Sequence, residues 1–244
     1  MGSTLLININ NSFTKAARWQ NGKLMLLGRH PTSDLEKVHL FSWQRRAKAD
    51  QLVVSSVVPR VNNLVKKTPI SQQHFIDYRS PLGIKIKFPK PSSIGADRLC
   101  NAAGVCCHYT VPAIVIDYGT AVTFDIISPK SEYLGGVIAP GMRVFRDYLS
   151  ERTALLPRVS LKKPSSAIGK TTRGAMLSGA YYGYQGLVRE IVSEIKQELK
   201  VKRLAILATG GDSNLFIGNE ALFDIHDPDL TFKGMGYVGD QLTR

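Results

Sequence analysis

Ile7-Asn8-Ile9-Asn10-Asn11-Ser12-Phe13-Thr14 and Ile116-Asp117-Tyr118-Gly119-Thr120-Ala121-Val122-Thr123 are written on one template. In each, a short apolar run ends at a side chain of carboxylate size, Asn8 or Asp117. A residue suited to positive φ follows (Asn10, Gly119), then a hydroxyl (Ser12, Thr120), then a return to β-branched residues. The pattern predicts a strand, a tight hairpin and a second strand, with backbone N–H groups and small polar side chains gathered at the turn. Such a turn can hold phosphate oxygens by peptide and hydroxyl donors, while a carboxylate handles the accompanying cation. Two copies predict two similar domains closing on one nucleotide.

Working outward, Asn21-Gly22 marks a further turn, and Gln51 to Val58 reads as a buried strand stopped by Pro59. Helices are expected at 61–67, 94–108, 142–152, 172–184 and 186–200. Strands are expected at 75–78, 133–138 and 203–209, with a last strand through Leu230-Thr231-Phe232-Lys233. Strands alternating with helices argue for an α/β protein with mixed sheets. Pro112, just ahead of the second hairpin, places the domain junction there, giving domains 1–112 and 113–244.

The chain has 244 residues, 43% of them hydrophobic, enough for two modest cores. No apolar run approaches the ~20 residues that span a bilayer, and the N-terminus reads as a mature strand, so a cytoplasmic protein is expected. Its three cysteines, Cys100, Cys106 and Cys107, crowd one small-residue helix beside His108. They lack paired C-x-x-C spacing and read as buried thiols, neither a metal centre nor a disulfide framework. The formal charge of +13 suits a polyanionic partner. Its lysines and arginines are scattered without interleaved aromatics, so solvated charge on an enzyme is the plainer reading and nucleic acid is not expected.

Four further clusters carry chemistry. In Gly95-Ala96-Asp97-Arg98 a carboxylate and a guanidinium open a helix; the acid can take a proton from a hydroxyl, and the arginine can hold an anionic group. An electrostatic role at the helix N-terminus is the competing explanation for Asp97. Gly135-Gly136 and Gly210-Gly211 let backbone approach a neighbour or a ligand closely. Gly169-Lys170-Thr171-Thr172 ends like a P-loop. It has Pro164 where the first glycine belongs, and reads instead as a helix start offering hydroxyls.

Taken in order, Gly95-Ala96-Asp97-Arg98, Asp117-Tyr118-Gly119-Thr120-Ala121, Gly135 to Gly141, Gly169 to Gly179 and Thr209-Gly210-Gly211 resemble the type III pantothenate kinases, over about residues 4–236. The resemblance implies the actin, hexokinase and heat-shock ATPase superfamily: two ribonuclease-H-like domains with mixed sheets flanked by helices and a nucleotide cleft between them. It implies transfer of the ATP γ-phosphoryl group to pantothenate in coenzyme A synthesis, Mg2+ with the ATP, a K+ or NH4+ ion, and a homodimer. By the same resemblance Asp97 is the general base, and Phe88, Gly95, Ala96, Arg98 and Thr172 line pantothenate. Asp117 binds the monovalent cation. ATP meets Asn8, Ile9, Asn10, Asn11, Ser12, Phe13, Thr14 and Lys15 of the first hairpin and Thr120 of the second. The family pattern has aspartate where this chain has Asn8, glycine where it has Asn10, and often tyrosine where it has Phe88. A missing charge facing the triphosphate implies catalysis slowed by roughly ten- to a thousand-fold. Two readings follow: a working pantothenate kinase, or a non-catalytic relative that binds ligand as a regulatory or transcription accessory protein.

Overall fold

The computed structural model describes residues 2–218 and 222–243. In chain order the elements are β1 (Thr4–Ile9), β2 (Phe13–Gln20), β3 (Lys23–Pro31), α1 (Lys37–Ala47), β4 (Gln51–Ser56), α2 (Pro59–Val65), β5 (Gln72–Phe75), β6 (Lys85–Ile86) and α3 (Ala96–His108). There follow β7 (Ala113–Tyr118), β8 (Ala121–Ile127), β9 (Glu132–Pro140), α4 (Met142–Arg152), α5 (Thr172–Leu199), β10 (Ala205–Thr209), β11 (Ile225–His226) and α6 (Leu230–Leu242).

The chain divides into two compact units. One comprises residues 1–111, 127–135 and 229–244; the other comprises 112–126 and 136–228. The sequence expectation was a single break at 112/113, whereas the last helix and the turn before β9 group with the first unit.

The first unit holds the sheet β3-β2-β1-β4-β5, antiparallel on the β3 side of β1 and parallel on the other. Central β1 is buried along its whole length because helices cover both faces of the sheet. Alternation along β1 sends Leu5, Ile7 and Ile9 to a cluster with Leu40 and Trp43 of α1 and Val61 and Val65 of α2. Leu6 goes the other way, to a cluster with Leu99, Cys100 and Ala103 of α3 and Met235 and Val238 of α6. Asn21 and Gly22, at φ 50° and 74°, make the β2–β3 turn in the left-handed conformation that hairpin twist favours. Gly28 lies where a Cβ would come 2.6 Å from Trp43 Nε1, so its lack of a side chain admits the indole.

The second sheet has six strands, in the order β6-β9-β8-β7-β10-β11; its last five repeat the order of the first sheet, with β7, β10 and β11 parallel, and β6 adds a short parallel strand beyond β9. Its core joins Ile114, Ile116, Tyr118, Phe124 and Ala208 to Ala180, Tyr181, Tyr184, Val188, Val192 and Ile195 of α5. The duplicated topology is the physical counterpart of the duplicated sequence template.

Several expectations need correction. Helix α1 was not foreseen: its buried positions, Leu40, Trp43 and Ala47, are sparse among charged residues, and Glu36 with His39 makes an atypical capping pair. The two helices expected at 172–184 and 186–200 are one helix of 28 residues. Gly183 and Gly186 do not break it, because one continuous apolar face is buried while these glycines look into open space. The strand expected at Leu230-Thr231-Phe232-Lys233 is the first turn of α6, where β-forming residues are overridden by packing against α3. The strand expected at 75–78 lies earlier, at Gln72–Phe75. Of the thiols, Cys100 alone is fully buried; Cys106 and Cys107 are half-buried. Burial pushes the Cys100 thiol well up and that of Cys107 to about 11, so both stay protonated at neutral pH.

Candidate active site

The first hairpin closes through Asn10, whose N–H donates to Phe13 O at 3.1 Å. Asn10 does not adopt positive φ, and neither does Gly119. The expectation of a left-handed residue at these points fails because each loop is shaped by contacts from outside it. For the first loop that contact is Thr32, a residue that carries no local signal in the sequence. Its hydroxyl donates to Asn10 O at 2.7 Å and lies 3.0 Å from Thr14 Oγ1, while its N–H donates to Ser12 O at 3.1 Å. Thr14 is fully buried, so its hydroxyl serves this brace. Ile9 is likewise fully buried, leaving only its backbone for a ligand, whereas Asn11 and Ser12 are exposed. Asn8 is 5% exposed, and its Oδ1 is buried without a hydrogen-bond partner, as are Asn10 Oδ1 and Ser55 Oγ.

Asp97 stands in the first turn of α3, at the end of the first unit's sheet. Its Oδ1 accepts the Arg98 N–H at 2.8 Å. A Cβ on Gly95 would come 2.7 Å from that same oxygen and 3.5 Å from Val57 Cγ1. Gly95 is therefore needed for space, since its φ of −61° suits any residue. Burial raises the Asp97 pKa above its ordinary value of 3.8, opposed by the Arg98 N–H and guanidinium. A half-buried carboxyl lifted toward neutrality suits a general base. Ala96 beside it is buried.

Phe88 is half-buried and packs edge-on against fully buried Tyr133, with ring centroids 6.4 Å apart. Arg98 Cζ lies 5.9 Å from the centroid of that same tyrosine ring, which ties Phe88, Tyr133 and Arg98 into one wall. Gly135, at φ 122°, brings its backbone against Phe88: a Cβ there would lie 3.3 Å from Phe88 Cδ2. The di-glycine at 135–136 signalled a close approach in the sequence; Tyr133 carried no such signal.

In the second unit, Asp117 is half-buried at the end of β7 and Thr120 is exposed at the hairpin tip. Gly210, at φ 89°, backs onto Asp117: a Cβ there would meet Asp117 Oδ1 at 2.4 Å and Tyr118 O at 2.6 Å. Gly141 approaches Gly119 O and Thr120 O, each 2.4 Å from the position of an added Cβ, and its N–H donates to Thr120 O at 3.2 Å. These glycines let carboxylate and carbonyl oxygens crowd around the second hairpin. Gly210→Ala is expected to cost about 2–3 kcal/mol from backbone strain plus the clash with Asp117, read by denaturant unfolding. Thr172 is the exposed first residue of α5, and the helix is capped by its neighbour Thr171, whose hydroxyl accepts the Gly174 N–H at 3.0 Å.

The structure thus brings Phe88, Gly95, Ala96, Asp97 and Arg98 to one end of the first unit, and Asp117 and Thr120 to one hairpin of the second. The type III pantothenate kinase family model matches residues 4–194. A type III pantothenate kinase from Methylacidiphilum infernorum is 39% identical over 241 residues, 98% of this chain and 89% of that protein. One from Akkermansia muciniphila is 44% identical over 233 residues, 95% and 96% of the two chains. Among solved structures, a Baf family protein from Campylobacter jejuni superposes with a TM-score of 0.63 at 24% identity, covering 98% of both chains. A glucokinase from Balamuthia mandrillaris gives 0.53 at 11% identity, covering 98% and 94%. These two likenesses establish the fold, and the match along most of the sequence establishes more: this chain belongs to the type III pantothenate kinase family.

Proposed function

We propose that the chain transfers the γ-phosphoryl group of ATP, supplied as its magnesium complex, to the primary alcohol of pantothenate, giving 4'-phosphopantothenate for coenzyme A synthesis. The observation that carries this reading is Asp97: a half-buried carboxyl at a helix start, its pKa raised by burial, with Arg98 beside it. Asp97 takes the proton from the alcohol as its oxygen bonds to the γ-phosphorus, and the bond to the bridging oxygen breaks to release ADP. Arg98, with Gly95, Ala96, Phe88 and Thr172, is read as holding pantothenate; the first hairpin and Thr120 are read as holding ATP. Relatives at 39% and 44% identity that bear the name type III pantothenate kinase favour the catalytic reading over the regulatory one.

Asp117 and the carbonyls near it are hard oxygen donors of the kind that suit K+ or NH4+. When bound, such an ion would offset negative charge on the nucleotide. We read the chain as working in the cytoplasm; among the described residues no helix is long and apolar enough to cross a membrane. We also read it as a homodimer, as its resemblance to the type III pantothenate kinases implies.

The test couples ADP release to pantothenate addition with K+ present, and light scattering on the same preparation reports the oligomer. Pantothenate-dependent release from a dimer is expected. ATP and pantothenate binding without ADP release would sink the catalytic reading.

A further inference from the structure

One row of residues crosses four strands of the first unit's sheet. Arg29 of β3 lies opposite Lys15 of β2, Lys15 opposite Asn8 of β1, and Asn8 opposite Ser55 of β4. The row two residues earlier, Leu6, Ala17 and Val53, belongs to the cluster that packs against α3. Alternation along β1, β2 and β4 puts Asn8, Lys15 and Ser55 on that same face, the face whose helix starts with Asp97 and Arg98, and Arg29 joins them by pairing with Lys15 past the bulge at Ala16/Ala17.

One feature of this row calls for an anion, and a second can meet it. Lys15 and Arg29 are like charges directly opposite one another, an arrangement that destabilises a sheet unless something offsets it. Among the described residues neither forms an ion pair, and Arg29 is instead steadied by its guanidinium lying 3.4 Å from the Phe13 ring centroid. Beside them Asn8 is almost wholly buried; its Oδ1 can only accept, so it is the Nδ2 amide group that can meet an anion, while the Ser55 hydroxyl faces the Cys100 thiol of α3. An asparagine amide can donate a hydrogen bond to a phosphate oxygen, which an ionised carboxylate cannot.

The same row is a poor seat for Mg2+. That ion is usually held through one or two carboxylates with several waters and phosphates. Here the donors are an amide and a hydroxyl, with two cations next to them. Among the described residues no group of three or more His, Cys, Asp and Glu comes together to hold a metal. We propose that the first hairpin takes the phosphates of its nucleotide directly, on Lys15, Arg29 and the Asn8 amide, and holds no divalent ion itself. This rests on the kinase reading and deepens it: nucleotide binding becomes nearly indifferent to magnesium, whatever the later chemical step requires.

The test is calorimetric titration of ATP, without pantothenate, in excess Mg2+ and in EDTA, on wild type, Lys15→Gln, Arg29→Gln and Asn8→Asp. Wild-type affinity is expected to differ by less than about threefold between the two conditions. Losing one charge-assisted contact in Lys15→Gln or Arg29→Gln is expected to weaken binding in EDTA by roughly ten- to a hundredfold. Asn8→Asp is expected to bind more tightly with Mg2+ than without. Wild-type binding that collapses in EDTA, charge variants that bind like wild type, or an Asn8→Asp chain indifferent to magnesium would each overturn the proposal and leave the kinase reading standing. Failure to bind ATP under either condition would overturn the kinase reading, and this proposal with it.

Discussion

Replacing Asp97 by asparagine is expected to lower the rate of phosphoryl transfer by roughly 10²- to 10⁴-fold, the usual contribution of a positioned general base. The amide keeps the size of the side chain and can still accept the Arg98 N–H, so pantothenate and ATP should bind nearly as before. The pH dependence carries a second readout. The base acts only when ionised, so kcat/KM of the wild type should fall on the acid side with an apparent pKa above 3.8, because burial raises the carboxyl. Stability runs in the opposite sense. A carboxyl whose folded pKa is raised binds more protons folded than unfolded, so the protein loses stability as pH climbs from the unfolded value through the folded one. At neutral pH the buried charge is a cost that asparagine does not carry. The Asp97→Asn chain should therefore melt at or above the wild-type midpoint while losing turnover. A lower midpoint alongside lost activity would point to a structural role for Asp97.

What was legible in the sequence is what depends on neighbours along the chain. The duplicated strand–turn–strand template predicted two hairpins in two similar domains, and the hairpins stand as β1–β2 and β7–β8, one in each sheet. Asp97 was visible because its glycine, its helix and its arginine are consecutive. Features made by distant contacts were not visible. Thr32 braces the first loop from the far end of β3, and nothing local distinguishes it from any other threonine. Tyr133 joins Phe88 to Arg98 across stretches of 45 and 35 residues. The left-handed conformations expected at Asn10 and Gly119 failed for a related reason: residue type reports what a backbone tolerates, and the surroundings choose within that range. Gly119 owes its place to closeness, a Cβ there coming 3.3 Å from Ala121 O. The Leu230-Thr231-Phe232-Lys233 stretch illustrates the limit most plainly, since its residue types favour a strand and the face of α3 makes it a helix.

That same helix pair supplies the largest stability effect expected in the protein. Helices α3 and α6 meet glycine against glycine. A Cβ on Gly234 would fall 1.8 Å from Cys100 O and 2.9 Å from Gly104 N, and one on Gly104 would fall 2.7 Å from Leu230 O. The obstructing atoms are helical backbone, which cannot swing aside as a flexible side chain can. Gly234→Ala therefore forces the helices apart and opens the cluster of Leu99, Cys100, Ala103, Met235 and Val238 packed around them. Better intrinsic helix propensity returns about 1 kcal/mol, while overpacking of this kind costs about 3 kcal/mol or more. The net loss, about 2 kcal/mol or more, corresponds to a thermal midpoint lowered by at least roughly 4–8 °C in a chain of this size, measurable by calorimetry. The consequence extends to the chemistry, because α3 holds Asp97 in its first turn and a displacement of its axis moves the carboxylate. At a temperature where Gly234→Ala remains folded, turnover should fall by more than ATP affinity does. Gly183→Ala, on the open face of α5, provides the control: with nothing within 4 Å of the new methyl group, it should melt at or slightly above the wild-type midpoint. Equal midpoints for Gly234→Ala and Gly183→Ala would show that α3 and α6 do not pack as closely as these contacts require.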